Sequence, residues 1–178
     1  MRVIAGEFRS RKLKTLPGLD TRPTPDRLRE SLFNILAPRL GGVTFLDVYA
    51  GTGAVGIEAL SRGAAHAIFV EKNRAAVNVI RDNLHTLEVE DRAEVFTAKA
   101  LTVLDRLTAD IVFLDPPYEL EREYAATLDL LGTRQNPLVI VQHASRLTLA
   151  DRYGSLLRTR VVKQGDNCLS FYEHSRSE

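Results

Sequence analysis

Residues 43–56, Val43-Thr44-Phe45-Leu46-Asp47-Val48-Tyr49-Ala50-Gly51-Thr52-Gly53-Ala54-Val55-Gly56, decide the fold. The apolar run 43–48 reads as a strand, and Gly51, Gly53 and Gly56 form G-x-G-x-x-G before a helix over 54–62 that Gly63 ends. Downstream the pattern keeps alternating. Strands are expected at 67–70, 93–97, 111–114 and 138–141, with helices over 74–84, 101–107 and 121–131. The runs 111–114 and 138–141 are wholly apolar, as strands covered on both faces are. The tail departs from the alternation. Segments 156–163 and 168–173, joined by Gln164-Gly165-Asp166-Asn167, read as a closing antiparallel hairpin. The expected architecture is α/β: a doubly wound, mostly parallel sheet of seven strands with helices on both faces.

Upstream, residues 3–7 and 11–14 read as a small β-hairpin followed by a turn at Pro17-Gly18. A helix is expected next, with Thr24 as its N-cap, Pro25 at the first position, Asp26 in the first turn and Pro38 just past its end. Two units result: a basic hairpin extension, 1–20, that contacts RNA, and a sheet domain, 21–178. The net charge of +1 conceals an asymmetry. The first forty residues hold nine basic side chains against four acidic ones, a surplus of five that leaves the remainder at −4. A basic arm on an acidic body suggests a polyanionic partner, although a solvated basic face gives the same count.

Composition excludes several classes. The 178 residues suffice for a buried core without disulfides, and the single cysteine, Cys168, excludes an internal disulfide and a multi-cysteine zinc site. His66, His85, His143 and His174 lack metal-ligand spacing, so no metal is expected; His143 alone lies near the functional sheet edge. No apolar run approaches the ~20 residues of a membrane span, and the N-terminus meets charge before any apolar stretch develops. A cytoplasmic monomer is expected.

The glycine loop needs a ligand to be more than a tight turn, and two carboxylates supply one reading. Glu71, at the end of the second strand, stands where an acid accepts both hydroxyls of an adenosine ribose. Asp47, at the end of the first strand, would face the pyrophosphate of a dinucleotide but suits a cationic amino group. S-adenosyl-L-methionine carries an amino group, a sulfonium and a ribose. Tyr49, Lys72 and Ala98 complete the expected cofactor set. In the alternative reading, Asp47 caps the loop's own amides.

The fourth strand ends in Asp115-Pro116-Pro117-Tyr118. Two prolines can merely stop a strand while the tyrosine packs nearby. After this glycine loop, a chemical reading is preferred. The lone pair of a nucleobase amine is delocalised into the ring. A carboxylate and a carbonyl that accept both amine protons localise it. Asp115 and the Pro116 carbonyl provide that pair, neither proline offers a competing amide donor, and Tyr118 can stack on an extruded base. Aligning nitrogen, methyl carbon and sulfur then suffices without a covalent nucleophile.

Residues 43–162 resemble class I S-adenosylmethionine-dependent methyltransferases, whose fold is Rossmann-like, through the two loops just quoted. Arg2-Val3-Ile4-Ala5-Gly6, Gly18-Leu19, the run Thr21-Arg22-Pro23-Thr24-Pro25-Asp26-Arg27-Leu28-Arg29-Glu30-Ser31-Leu32-Phe33-Asn34-Ile35-Leu36, Gly56-Ile57-Glu58-Ala59-Leu60-Ser61-Arg62-Gly63-Ala64 and Leu169-Ser170-Phe171-Tyr172 together resemble the RsmD family over essentially the whole chain. That resemblance implies methylation of N2 of one guanine, nucleotide 966, in 16S rRNA of the bacterial small ribosomal subunit, on assembled or nearly assembled particles. It assigns Asp47, Gly51, Gly53 and Glu71 to the cofactor and Asp115, Pro116, Pro117 and Tyr118 to the guanine amine. Arg9, Arg11, Lys12 and Lys14 would meet rRNA, and Arg22, Thr24 and Arg27 would border the active site. One position departs. Lys99 stands where many such enzymes place an Asp or Asn that accepts from adenine, a bond lysine cannot accept. Backbone near Ala98, with Lys72 and Asn73 as a cover, is expected to hold adenine instead.

Two other functions share these features. N6-adenine methylation of DNA uses the same amine chemistry, but the chain lacks an evident target-recognition domain. A non-catalytic RNA-binding or assembly factor with a methyltransferase fold would not need Asp47 and Asp115. Cys168 lacks a neighbouring base, so cysteine-dependent C5 methylation is disfavoured, and no Lys-Ser/Thr pair follows the glycines as a P-loop requires.

Overall fold

The computed structural model describes residues 1–18, 26–135 and 138–175. Its elements run α1 (Asp26–Leu40), β1 (Thr44–Val48), α2 (Ala54–Ser61), β2 (His66–Glu71), α3 (Arg74–Thr86), β3 (Ala93–Thr97), α4 (Ala100–Val103), β4 (Ile111–Leu114), α5 (Glu121–Gly132), β5 (Leu138–Ala144), β6 (Arg152–Tyr153), β7 (Leu156–Gln164) and β8 (Asn167–His174). The sheet order is β3-β2-β1-β4-β5-β8-β7-β6. β1 through β5 pair in parallel, and β6, β7 and β8 close the sheet antiparallel. The fold is the expected doubly wound α/β class. β6 is an eighth strand that two residues were too short to signal.

Period-two alternation distributes the core. Leu46, Val48, Ile68, Val70, Val112 and Leu114 face α4 and α5, whereas Phe45, Phe69, Ile111 and Phe113 face α1, α2 and α3. Gly56 sets the close approach of α2 to the sheet, since a Cβ there would stand 2.4 Å from the Phe69 ring. β1 and β4 are neighbours, which brings their following loops side by side at the carboxyl edge.

Some boundaries moved for identifiable reasons. α1 runs through Pro38 to Leu40, because the proline falls in the last turn and Leu36 and Leu40 are both buried. The expected helix 101–107 is split into α4 and a 3-10 turn, Leu104–Arg106. Residues 1–14 are a loop closed by one bridge, Arg2 with Lys12, rather than two regular strands. Val3, Phe8 and Leu13 from this loop are buried against Ile57, Leu60, Ile80 and Leu84 of α2 and α3. The proposed N-cap Thr24, together with Pro25 and Arg22, lies outside the described residues. No helix among the described residues is long and apolar enough to cross a membrane.

Candidate active site

The carboxyl ends of β1, β2, β4 and β5 open into one cleft of about 1200 Å³. Its lining brings together residues expected for the cofactor (Asp47, Tyr49, Gly51, Glu71, Lys72, Ala98) and for the amine (Asp115, Pro117, Tyr118). Gly53 and Pro116 do not line it. Gly53 adopts φ +83° at the start of α2, where its amide donates to Ala50 O at 2.9 Å. It shapes the loop from beneath. Pro116 is buried, and its carbonyl accepts a hydrogen bond from Tyr124 Oη at 2.9 Å.

The glycine loop is anchored from both sides. Glu71 Oε2 accepts from Gly51 N at 2.9 Å, and Glu71 Oε1 accepts from Asn73 N at 3.0 Å. Asp47, 2% exposed, accepts from Gly56 N at 2.9 Å through Oδ2. The capping reading of Asp47 is thus realised in this bond, while the residue also lines the cleft. Burial raises its carboxyl well above the ordinary range; the Gly56 bond opposes this, and the charges of Asp115 and Glu71 reinforce it. Asp47, Glu71 and Asp115 share the cleft, and the charges of the last two act on Asp47, so a cationic ligand beside it relieves that repulsion. The donor set therefore fits S-adenosylmethionine: a carboxylate at the end of β2 that could meet a ribose, loop backbone beside it, and buried negative charge suited to a cation.

Tyr49 takes φ +61°, left-handed backbone that side chains adopt at a cost. Its Oη donates to Glu123 Oε2 at 2.5 Å, and burial, then this bond, push the phenol pKa upward. Tyr118 Oη donates to Asn167 Oδ1 at the start of β8. At the third-strand edge Ala98, Lys99 and Ala100 line the cleft, and the Ala98 amide already donates to Glu71 O at 3.1 Å. Of the two residues expected to cover adenine, Lys72 lines the cleft and Asn73 does not; the Asn73 side-chain oxygen caps α3 by accepting from Ala76 N at 3.1 Å.

Strand parity decides a further pair. His143 does not line the cleft; Gln142 does. The His143 ring sits on Ser170 Oγ at 2.8 Å, and burial lowers its pKa. Cys168 is buried and its thiol pKa is raised by burial, as befits a packed strand residue rather than a nucleophile. Ser145, Arg146, Asp166 and Asn167 also line the cleft, brought there by the β5–β8 pairing, for which nothing in local sequence gave a signal.

The described cations expected to meet RNA, four on the arm and Arg27 on α1, divide into engaged and unpaired side chains. Arg11 donates to Thr86 O at 3.2 Å, and Lys14 pairs with Asp82 at 3.3 Å. Arg9, Lys12 and Arg27 are exposed without an ion pair among the described residues.

Fold and site together define a Rossmann-like methyltransferase that uses S-adenosylmethionine. The model of the family described as conserved hypothetical protein 95 matches residues 1–173. YlbH of Bacillus subtilis is 36% identical over 182 residues, covering 97% of this chain and 98% of that protein. Ribosomal RNA small subunit methyltransferase D of Escherichia coli K12 is 43% identical over 120 residues, 66% of this chain and 60% of that one. Among solved structures, yhhF of Escherichia coli superposes with a TM-score of 0.87 at 32% identity, covering 99% of each chain. The chain belongs to this family, the RsmD family.

Proposed function

We propose that this protein methylates the exocyclic N2 of a guanine in 16S rRNA of the small ribosomal subunit, nucleotide 966 by family resemblance. The observation that carries the reading is that Asp115 and Tyr118 line the same cleft as Asp47 and Glu71, so an amine and a cofactor can meet. The relatives named for small-subunit rRNA methylation supply the substrate class. Bound S-adenosylmethionine supplies an electrophilic methyl group on sulfur. Asp115, which lines the cleft, accepts one N2 proton, and the lone pair that Tyr124 leaves open on the buried Pro116 carbonyl is assigned the other once the base is seated against this loop, which draws the nitrogen lone pair out of the ring. Tyr118, tied to Asn167, offers its ring to the base. After transfer the nitrogen carries one proton too many, and the Asp115 carboxylate accepts it. Asp47 and Glu71 hold the cationic and ribose ends of the cofactor. Met1 and Gly18 of the N-terminal segment also line the cleft, which supports a role for the arm in meeting the substrate.

The test uses small-subunit particles from cells lacking this protein, labelled cofactor, and mass spectrometry of the nucleosides. Wild-type protein should form N2-methylguanine. Asp115→Ala should reduce the rate by roughly 100-fold or more, the scale for removing one group that stabilises a transition state, while particle binding stays within about twofold. Normal methylation by the variant, or a product other than N2-methylguanine, would sink the proposal.

A further inference from the structure

Two consecutive residues of α5 reach the two loops of the site. Glu123 accepts from Tyr49 Oη at 2.5 Å, and Tyr124 donates to Pro116 O at 2.9 Å. Neither residue was legible as functional from the motifs. Tyr124 is 1% exposed, so its hydroxyl is sequestered from solvent. Successive helical residues project about 100° apart, which lets one turn of helix address two loops on different sides.

The geometry of the Pro-Pro step makes the Tyr124 bond consequential. The pyrrolidine rings fix φ of Pro116 and Pro117, Pro117 confines ψ of Pro116 to extended values, and no described peptide bond is cis. The residual swing of ψ at Pro116 is therefore the main local freedom deciding where its carbonyl oxygen lies. The Tyr124 hydroxyl pins that swing and occupies one lone pair, leaving the other for an amine proton. At the facing loop, Tyr49 holds an unfavourable left-handed backbone, and its phenol is tied to Glu123, the residue before Tyr124.

We infer that Glu123 and Tyr124 are positioning residues that hold the cofactor loop and the amine-binding loop in register from a single turn of α5. This rests on the amine-methylation reading above. Neither residue needs to touch a reacting atom. Glu123 acts through Tyr49 and Tyr124 acts through the Pro116 carbonyl, and a misplacement on the order of 1 Å at such a point costs up to 10²-fold in rate.

Tyr124→Phe and Tyr49→Phe each delete one oxygen and keep the ring. Single-turnover methyl transfer to guanine N2 on undermethylated particles, KM for those particles, and calorimetric binding of S-adenosylhomocysteine separate the effects. Tyr124→Phe is expected to lower the transfer rate at least tenfold with KM and analogue affinity within twofold. A purely structural role would change the melting temperature without that split. Tyr49→Phe is expected to weaken the analogue about three- to tenfold and also slow transfer. The double variant should be slowed by less than the product of the single effects, because both sever one bracket. A Tyr124→Phe rate within twofold of wild type, or a double variant equal to that product, overturns the inference. If Tyr124→Phe does not fold, a Tyr49→Phe protein with unchanged transfer rate overturns it equally. A wild-type protein that methylates no exocyclic amine takes down the function reading and this one together. An active wild type with an unimpaired Tyr124→Phe takes down only this one.

Discussion

Asp47 concentrates the electrostatic conflict of the cleft. Its carboxyl is buried, accepts one amide, and faces the charges of Asp115 and Glu71, so its pKa is raised with burial as the largest cause. In the unfolded chain the same group ionises near pH 4. Between that pH and the raised folded value, the native state holds the extra proton, so this group's contribution to stability falls as pH rises through the window. A cationic ligand reverses the preference by favouring the carboxylate, and the proton leaves on binding. S-adenosylmethionine affinity should therefore rise with pH between the ordinary carboxylate range and the raised folded value, with a slope of at most about tenfold per unit for one proton. S-adenosylhomocysteine keeps the amino group assigned to Asp47 and should show a similar slope, and Asp47→Asn should flatten both. Calorimetry in buffers of different ionisation enthalpy reads the released proton directly; a wild-type affinity that ignores pH contradicts this electrostatic account. Residue by residue, the site was legible wherever a strand end and a loop motif coincide. Asp47, Gly51, Glu71, Asp115 and Tyr118 lie within two such loops or at the next strand end. Glu123 and Gln142 were not legible, because a helix turn and a strand parity acquire meaning only from the segments that pack against them.

At the scale of elements, the N-terminal segment shows what sequence pattern conveys and what it omits. Its charges were read, but Val3, Phe8 and Leu13 follow neither a helical nor a strand period, so their burial against α2 and α3 could not be read. The hidden partner is Glu58 on α2, 0% exposed. It accepts from the consecutive amides Ile4 N and Ala5 N at 2.8 and 3.1 Å and from Arg62 Nε at 3.1 Å. Arg29, 1% exposed, lies 3.9 Å from the same carboxylate and donates to Arg2 O at 2.8 Å. Sequence separations of more than fifty residues for the amide contacts kept this clamp out of local reach. Glu58→Gln preserves volume but leaves Arg62 without its counter-charge and Arg29 with the exposed Asp26 alone. Breaking a buried pair on one side costs about 3–5 kcal/mol, which urea unfolding should reveal. Hydrogen exchange adds the local prediction: the amides of Ile4 and Ala5 should lose more protection than those of β1. Equal losses at both sites would mean the clamp is not what docks the segment. The sheet itself was legible to within a few residues because its central strands β1, β2, β4 and β5 are mostly apolar, buried runs, whereas the two-residue β6 exists only through its pairing with β7.

Across the whole molecule the near-neutral charge is spatially resolved: acids gather at the carboxyl edge, and the surplus cations belong to the first forty residues. Counting charges does not say which of them can meet a phosphate. Arg11 and Lys14 are held by α3 through Thr86 O and Asp82, whereas Arg9, Lys12 and Arg27 are exposed without an ion pair among the described residues. An exposed pair such as Lys14 with Asp82 is weak, but the acid dilutes the field that a nucleic acid would feel. Binding to a polyanion releases counterions, and the logarithm of the affinity falls with the logarithm of salt by about 0.7–0.9 for each phosphate neutralised. If the arm is the RNA contact proposed for it, replacing Arg9, Lys12 and Arg27 together with alanine should reduce that salt slope by about two to three. The Arg11 and Lys14 double replacement should reduce it by less, since removing Lys14 also frees Asp82. Affinity for S-adenosylhomocysteine should be the same in all three proteins, because none of these side chains lines the cofactor cleft. Filter binding of wild-type and variant protein to undermethylated particles across a salt series gives the slopes. A triple variant whose slope equals that of wild type would move the RNA-binding surface away from the arm, whereas a larger effect from Arg11 and Lys14 would show that RNA displaces their contacts with α3.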